Sequence, residues 1–440
     1  MGGRAHTKDR QKVHVVTMGC AKNLVDSEKL MAQLRLSNVE LSPTIEGADV
    51  AVINTCGFIE AARVESIDAI IENVRLKSRG KVKKVFAMGC LSERYRSELA
   101  REIPELDALF GSNELPNVLR ALGAEYRESL LGERMLTAPS HSAFLKISEG
   151  CDNPCSFCSI PLMRGKHISR SLEDIVHEAQ LLADKGVKEI VVIGQDTTFF
   201  GLDSDGHRRL PEVLGSIAGI RGIEWVRLMY SYPSKFPLEV LEVMAGNPKI
   251  CKYLDIPLQH VSDGVLRSMR RGISRRALES LLGTIRDRVP NIALRTTLIV
   301  GYPTETEREF GELVQFVEDQ QFHRLGVFTY SREEGTAAYA LGDPIPVEEK
   351  ERRRDQIMKL QQEISLRHNE ELIGKRVMVL VDRREGDHWV GRTERDAPEI
   401  DNEVYITDDH VSGIGEFVPV EIESVSEYDL YGRVERSESC

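Results

Sequence analysis

At 440 residues, 41% hydrophobic and 29% charged, the chain is too long for one core and too evenly mixed for a disordered or membrane-embedded one. Its formal net charge of −12 argues against a general affinity for phosphate backbones, and no run approaches the roughly 18–20 apolar residues of a membrane helix. Met1–Lys12 is polar and basic without an apolar stretch, so the expected location is the cytoplasm, where thiols stay reduced.

Val13–Thr17 reads as a strand, with a helix over Ser27–Leu36. Val50–Asn54 is a second strand, and helical periodicity runs from Glu60 to Leu76. Val82–Ala87 is a third strand, before a helix over Glu93–Ile103 that Pro104 closes, and Leu106–Phe110 is a fourth strand. Such alternation predicts a parallel sheet with right-handed crossovers. Leu131–Ser142 reads as a linker. From Ala143 to about Gly335 the alternation resumes with strand-like runs ending at Ser148, Gly194, Tyr230, Ile256, Gly301 and Tyr330. Six βα units in series suggest a full or partial barrel, with its site at the carboxyl ends of the strands. Val347–Gly374 is a charged helical stretch, read as a solvated connector. Val377–Val381, Trp389–Arg392, Glu403–Ile406 and Phe417–Val425 are short alternating strands, as in a small antiparallel barrel of the oligonucleotide-binding type. The predicted fold class is therefore α/β in three parts: a parallel α/β domain over 1–137, a partial (βα)6 barrel with connecting helix over 138–372, and a small β-barrel over 373–440.

The cysteines carry the chemistry. Cys151, Cys155 and Cys158 lie within Gly150-Cys-Asp-Asn-Pro-Cys-Ser-Phe-Cys158, directly after the first barrel strand. A structural zinc site wants four protein ligands, and three thiols cannot all pair as disulfides. Three thiolates suit a four-iron four-sulfur cluster with one iron left open, which a reactive cluster needs. Cys20, Cys56 and Cys90 are far apart in sequence, yet each follows a predicted strand (HVVTMGC, VAVINTCGF, KVFAMGC). The carboxyl ends of parallel strands share one edge, so these three are expected to converge there as a second cluster site. Cys251 reads as a core residue and Cys440 as part of the tail.

The Cys151–Cys158 run resembles the radical-SAM superfamily. Two sets of three cysteines with a terminal barrel of the TRAM kind are similar, over nearly the whole chain, to the methylthiotransferases. The resemblance implies two 4Fe-4S clusters and S-adenosyl-L-methionine. Cys151, Cys155 and Cys158 would hold the cluster that generates a 5′-deoxyadenosyl radical. Cys20, Cys56 and Cys90 would hold the cluster that carries or delivers sulfur. Phe157 would stand beside the adenine, or equally serve as a core aromatic. Gly194, Gln195, Asp196, Pro257, Gln259, Arg295 and Thr297 lie where cofactor contacts are expected, at strand ends. The run Gly301-Tyr302-Pro303-Thr304-Glu305 departs from the family's usual Gly-Phe-Pro-Gly-Glu at Thr304.

Methylthiotransferases divide between tRNA adenosine and an aspartate of ribosomal protein S12. Gly374–Cys440 carries 8 Lys or Arg against 17 Asp or Glu, a balance of −9. An acidic module suits a basic protein target and disfavours RNA, and Arg392–Asp401 looks like the ribosomal-protein branch. Asp396, Glu399, Asp401, Asp408 and Asp409 are the acidic residues expected to face the target. The expected partners are thus basic ribosomal protein S12, within or outside the small subunit, and an electron donor, with no membrane and no tRNA, the enzyme itself a monomer. The competing readings are a tRNA methylthiotransferase, which should carry a basic terminal barrel, and a non-catalytic iron–sulfur module on the translation machinery.

Overall fold

The computed structural model describes residues 10–434 except 38, 138 and 408–410, so Cys440, Asp408 and Asp409 lie outside the described residues. The chain forms two compact units, one of residues 1–137 with 159–166, the other of 138–158 with 167–440.

In the first unit, strands β1 (Gln11–Thr17), β2 (Val39–Leu41), β3 (Val50–Thr55), β4 (Lys84–Gly89) and β5 (Ala108–Leu109) form a parallel sheet in the order β2-β1-β3-β4-β5. The centre of the sheet is buried on both faces, so it reads as a continuous apolar run. Val50 and Val52 point into a core with Leu30, Leu34 and Val118, while Ala51 and Ile53 point into another with Ile70, Leu91 and Leu99. Strand β2 was not expected from sequence, since three residues at an edge carry little pattern. The helix after β1 is Ala21–Arg35, six residues earlier than predicted, and the third helix is two pieces, Cys90–Arg94 and Arg96–Glu102. Both early starts place a cysteine at a helix amino end, which the later apolar periodicity concealed.

In the second unit, β6 (Ser142–Lys146) is followed by a ribbon of β7 (Ser148–Glu149) and β8 (Ile168–Ser169), which closes the base of the cysteine loop. Strands β9 (Glu189–Ile193), β10 (Trp225–Leu228), β11 (Ile250–Asp255), β12 (Ala293–Val300) and β13 (Arg324–Thr329) complete a six-stranded sheet in the order β13-β12-β11-β10-β9-β6. Every pairing in it is parallel, giving the partial barrel anticipated above. The helix Val347–Glu370 is not merely a solvated connector. Ile357 and Ile364 are fully buried, Arg353 pairs with Glu305, and Lys350 Nζ donates to the Tyr330 carbonyl.

The terminal domain is a closed barrel of β14 (Arg376–Glu385), β15 (His388–Thr393), β16 (Glu403–Ile406), β17 (Phe417–Val425) and β18 (Asp429–Val434). It departs from a purely antiparallel barrel in one place, where β16 and β18 pair in parallel and close it. Strand β18 escaped the sequence reading because Asp, Gly and Arg interrupt its alternation.

The acidic segment expected to face the target turns inward. Asp396 is held by Arg324 and by Thr393 Oγ1 at 2.6 Å, and Asp401 accepts from Tyr253 at 2.7 Å and pairs with Arg295 at 3.3 Å. Arg392 bridges Asp382 and Glu189, each at 2.7 Å, and Arg227 meets Glu189 at 2.8 Å while donating to the Glu394 carbonyl. Glu189 and Arg324 are the first residues of their strands, so this segment seats at the amino ends of the barrel, the end associated with stability. Burial would raise the Glu189 carboxyl, yet Arg392 and Arg227 outweigh it and hold it at about 2. Buried charges need such partners. Of the residues assigned to a target-facing patch, Glu399 is exposed, whereas Asp396 and Asp401 are committed to the protein's own arginines.

Candidate active site

In the first unit, Cys20 follows β1, Cys56 follows β3 and Cys90 follows β4, so neighbouring parallel strands deliver all three to one edge. Each has a glycine beside it. Gly19, at φ +87°, lies so close to Cys56 that an added Cβ would stand 2.6 Å from the Cys56 Cβ. A Cβ on Gly57 would meet the Leu91 backbone at 2.9 Å. The glycines thus let the three cysteine loops pack against one another. Cys20 is exposed, whereas Cys56 and Cys90 are buried. Burial raises the Cys56 thiol and pushes Cys90 up to about 11, although Arg164 opposes the shift at Cys90. Arg164 Nε donates to Cys90 Sγ at 3.1 Å, and Asn23 lies 4.0 Å from the same sulfur.

In the second unit, Cys151, Cys155 and Cys158 occupy the loop after β7, each partly accessible. Burial pushes the Cys151 thiol up to about 11. The loop is anchored at both shoulders. Asn153 Nδ2 reaches Cys151 Sγ at 3.4 Å and Asp196 at 2.7 Å. Arg271 Nη1 donates to Cys155 Sγ at 3.3 Å and stacks over Tyr232, whose hydroxyl lies 3.6 Å from the same sulfur. Ser156 donates to the Ser268 carbonyl at 2.7 Å and meets the Tyr302 hydroxyl at 3.0 Å. Arg271 and Tyr232 were not singled out from sequence, because only the fold brings them to the loop.

The cofactor candidates fall into three groups. Gly194, Gln195 and Asp196 follow β9, at the carboxyl edge. Gly194 packs so closely on Ser148 that a Cβ would stand 2.8 Å from its hydroxyl, and Gln195 Nε2 donates to Glu149 at 2.7 Å. Asp196 is buried and caps the turn that follows, accepting from the Thr198 amide at 2.9 Å. Pro257 and Gln259 follow β11. The Pro257 carbonyl accepts from Arg271, and Gln259 holds φ +74°, a left-handed conformation uncommon outside glycine. Its backbone is fixed by two 2.8 Å bonds to Thr297 and Ile299. Arg295 and Thr297, by contrast, lie within β12, which runs on to Val300. Arg295 pairs with Asp401, in the segment seated at the amino ends, and with Asp255, the last residue of β11. Phe157 packs against Val265, Met269 and Tyr302, as a core aromatic does. Cys251 is fully buried in β11.

The residues present fit the implied groups. Each set supplies three thiols from one edge or one loop, the donor chemistry that an iron–sulfur cluster takes. Ser148 Oγ, Gln195 Oε1, Ser231 Oγ and Gln259 Oε1 are buried without a hydrogen-bond partner in the protein. They follow β6, β9, β10 and β11, four neighbouring strands, at the edge where the cysteine loop begins. Orphaned buried polar atoms are costly, and a polar ligand with donors and acceptors would satisfy them. S-adenosylmethionine, with amino and hydroxyl donors, is such a ligand.

Two structural consequences can be measured. Asp196→Ala removes the partner of Asn153 and the cap of the following turn, an expected loss of about 1–3 kcal/mol. In the metal-free chain, alkylation of Cys151 followed by mass spectrometry should run faster in the variant. The second concerns Glu305, pushed up to about 7 by burial, against the lowering effect of Arg353, with the buried His260 3.9 Å away. Between the ordinary carboxyl value of 4.5 and 7, the folded chain keeps a proton that the unfolded chain has lost. Stability therefore falls as pH rises through that window, by up to about 1.4 kcal/mol per pH unit. Urea unfolding at stepped pH should show this slope reduced in Glu305→Gln relative to the unmodified chain.

Comparison with known proteins bears on the fold and the family. Residues 12–111 match Uncharacterized protein family UPF0004, residues 145–317 the Radical SAM superfamily, and residues 373–434 the TRAM domain. The cobalamin- and cluster-bound radical S-adenosylmethionine methyltransferase TsrM from Kitasatospora setae superposes with TM-score 0.57 at 15% identity, over 75% of this chain and 77% of that one. The cobalamin-dependent radical enzyme OxsB, with aqua-cobalamin and S-adenosylmethionine bound, superposes with TM-score 0.51 at 13% identity, over 80% and 56%. At such identities the likeness speaks for the fold. Fold and sequence together define a radical-SAM enzyme that transfers a methylthio group. The ribosomal protein uS12 methylthiotransferase RimO of Cytophaga hutchinsonii is 51% identical over 434 residues, covering 98% of this chain and 99% of that protein. Those of Flavobacterium psychrophilum and Chloroherpeton thalassium are 52% and 49% identical, over 98% and 96% of this chain. The chain belongs to the ribosomal protein uS12 methylthiotransferase RimO family.

Proposed function

We propose that this enzyme inserts sulfur and a methyl group at the β-carbon of an aspartate of ribosomal protein uS12, giving β-methylthioaspartate. The observation that carries the reading is near-50% identity over almost the entire chain to several uS12 methylthiotransferases, with both cysteine sets present in this sequence. Cys151, Cys155 and Cys158 hold one 4Fe-4S cluster, and Cys20, Cys56 and Cys90 a second. When bound, the clusters and S-adenosyl-L-methionine supply radical generation, sulfur and the methyl group.

The chain's own residues do the positioning. Arg271 and Tyr232 fix Cys155, and the Asp196–Asn153 pair fixes Cys151. Gln195 and Gln259 offer buried acceptors to S-adenosylmethionine, with Gly194 and Pro257 shaping the backbone around it. Phe157 backs the loop from its apolar side. Thr297 fixes the unusual Gln259 backbone through its carbonyl, and Arg295 acts from the amino half of its strand, steadying the barrel against the terminal domain. Orientation matters because a radical must meet its C–H bond before it is quenched. The reaction takes place in the cytoplasm, draws electrons from a separate donor, and uses protein and not tRNA as its substrate.

The test is direct. Anaerobically reconstituted enzyme, reduced and mixed with S-adenosylmethionine and a peptide carrying the uS12 loop, should yield 5′-deoxyadenosine and a methylthio adduct on aspartate by mass spectrometry. Modification of tRNA with the peptide untouched would overturn the substrate assignment.

A further inference from the structure

Arg164 stands six residues after Cys158, yet it belongs to the first unit, on the short helix Ile160–Arg164. Its guanidinium is buried, with 4% of the side chain exposed, and Asp26, Asn23 and Cys90 are among its partners. Nη1 meets Asp26 at 2.8 Å, Nη2 donates to Asn23 Oδ1 at 2.5 Å, and Nε donates to Cys90 Sγ at 3.1 Å. Ser112 fastens the same helix by donating to the Met163 carbonyl at 2.6 Å. Asp26 already answers the need of a buried cation for a counter-charge. The bond to sulfur is additional, and a neutral thiol is a poor acceptor, whereas a metal-bound thiolate is a good one. The three-way fork is also specific to a guanidinium, since an ammonium cannot present it.

Hydrogen bonds and positive charge at a cluster's sulfurs favour its more negative, reduced state and raise its reduction potential. We infer that Arg164 is a positioning residue that sets the reduction potential of the cluster held by Cys20, Cys56 and Cys90 through its bond to the Cys90 sulfur. The motif that ends in the first cluster's last ligand thereby continues into the residue that tunes the second. The inference rests on the two-cluster reading above.

The experiment uses the full-length, anaerobically reconstituted chain as the unmodified protein, Arg164→Gln and Arg164→Lys. Iron and sulfide per chain are measured first, then both clusters are titrated by EPR against potential. A variant with Cys20, Cys56 and Cys90 all replaced by alanine assigns the signals. Arg164→Gln should move the midpoint of the second cluster to more negative potential and leave the first unchanged. Arg164→Lys, which keeps the charge but not the fork, should give a smaller shift of the same sign. Unchanged midpoints in both variants, or a shift confined to the first cluster, would overturn the inference. Loss of the second cluster from both variants, with the first intact, would also overturn it and make Arg164 a structural clamp. An unmodified protein that holds only one cluster would instead break the two-cluster reading, a failure visible before any variant is compared.

Discussion

Cys155→Ala is expected to abolish both 5′-deoxyadenosine formation and methylthio transfer, to the background of a cluster-free protein. Three thiolates on a cubane leave one iron open, and a set of two does not hold the cluster in that form. The substitution also strips Arg271 of its sulfur partner and Tyr232 of its neighbour, at the heart of the loop. Cys90→Ala should behave differently. It leaves Cys151, Cys155 and Cys158 untouched in the other unit, so 5′-deoxyadenosine should still form on reduction while the peptide gains no methylthio group. Chromatography of the nucleoside and mass spectrometry of the peptide, run on the same reaction, separate the two outcomes. Equal loss of both products in Cys90→Ala would mean that the two sets do not divide the chemistry.

Glu189→Ala is expected to cost about 3–5 kcal/mol, because it leaves Arg227 and Arg392 buried without their shared carboxylate. Arg227 and Glu189 are both fully buried, and Arg392 nearly so. The lost residue also accepts from Ser142 at 2.9 Å, so the first strand of the barrel loosens as well. Calorimetry should report a lower Tm, and limited proteolysis should open the segment around Thr393–Asp401 first. The pH dependence has a definite sign. The folded carboxyl lies at about 2, below its ordinary 4.5, so its contribution is present above 4.5 and lost as pH falls towards 2. The difference between the unmodified chain and Glu189→Gln should therefore shrink across that acid window. A constant difference down to pH 2 would show that the carboxylate charge is not what holds the segment.

Much of the site is legible in the sequence. The spacing within Cys151–Cys158 is local, and a loop of eight residues after a strand needs no distant contact to be recognised. Cys20, Cys56 and Cys90 were legible for a topological reason, since parallel strands put their carboxyl ends on one edge whatever the exact helix boundaries. Arg271 and Tyr232 were not legible, because each reaches the cysteine loop only through the folded sheet and its loops. Arg164 stands six residues past the cysteine motif, but its partner Cys90 lies 74 residues earlier in the chain.

The terminal domain divides the two kinds of information most sharply. Four of its five described strands and its acidity belong to the sequence by itself, since alternation and composition are properties of short segments. So do the two cysteine sets, the six βα units and the family. The direction in which each carboxylate points belongs to the tertiary structure alone. Net charge sums Asp382, Asp396 and Asp401 with the rest, yet folding spends them on Arg392, Arg324 and Arg295 inside the protein. A carboxylate buried against a guanidinium is electrostatically silent to a distant partner, so an acidic composition could not by itself locate an acidic surface.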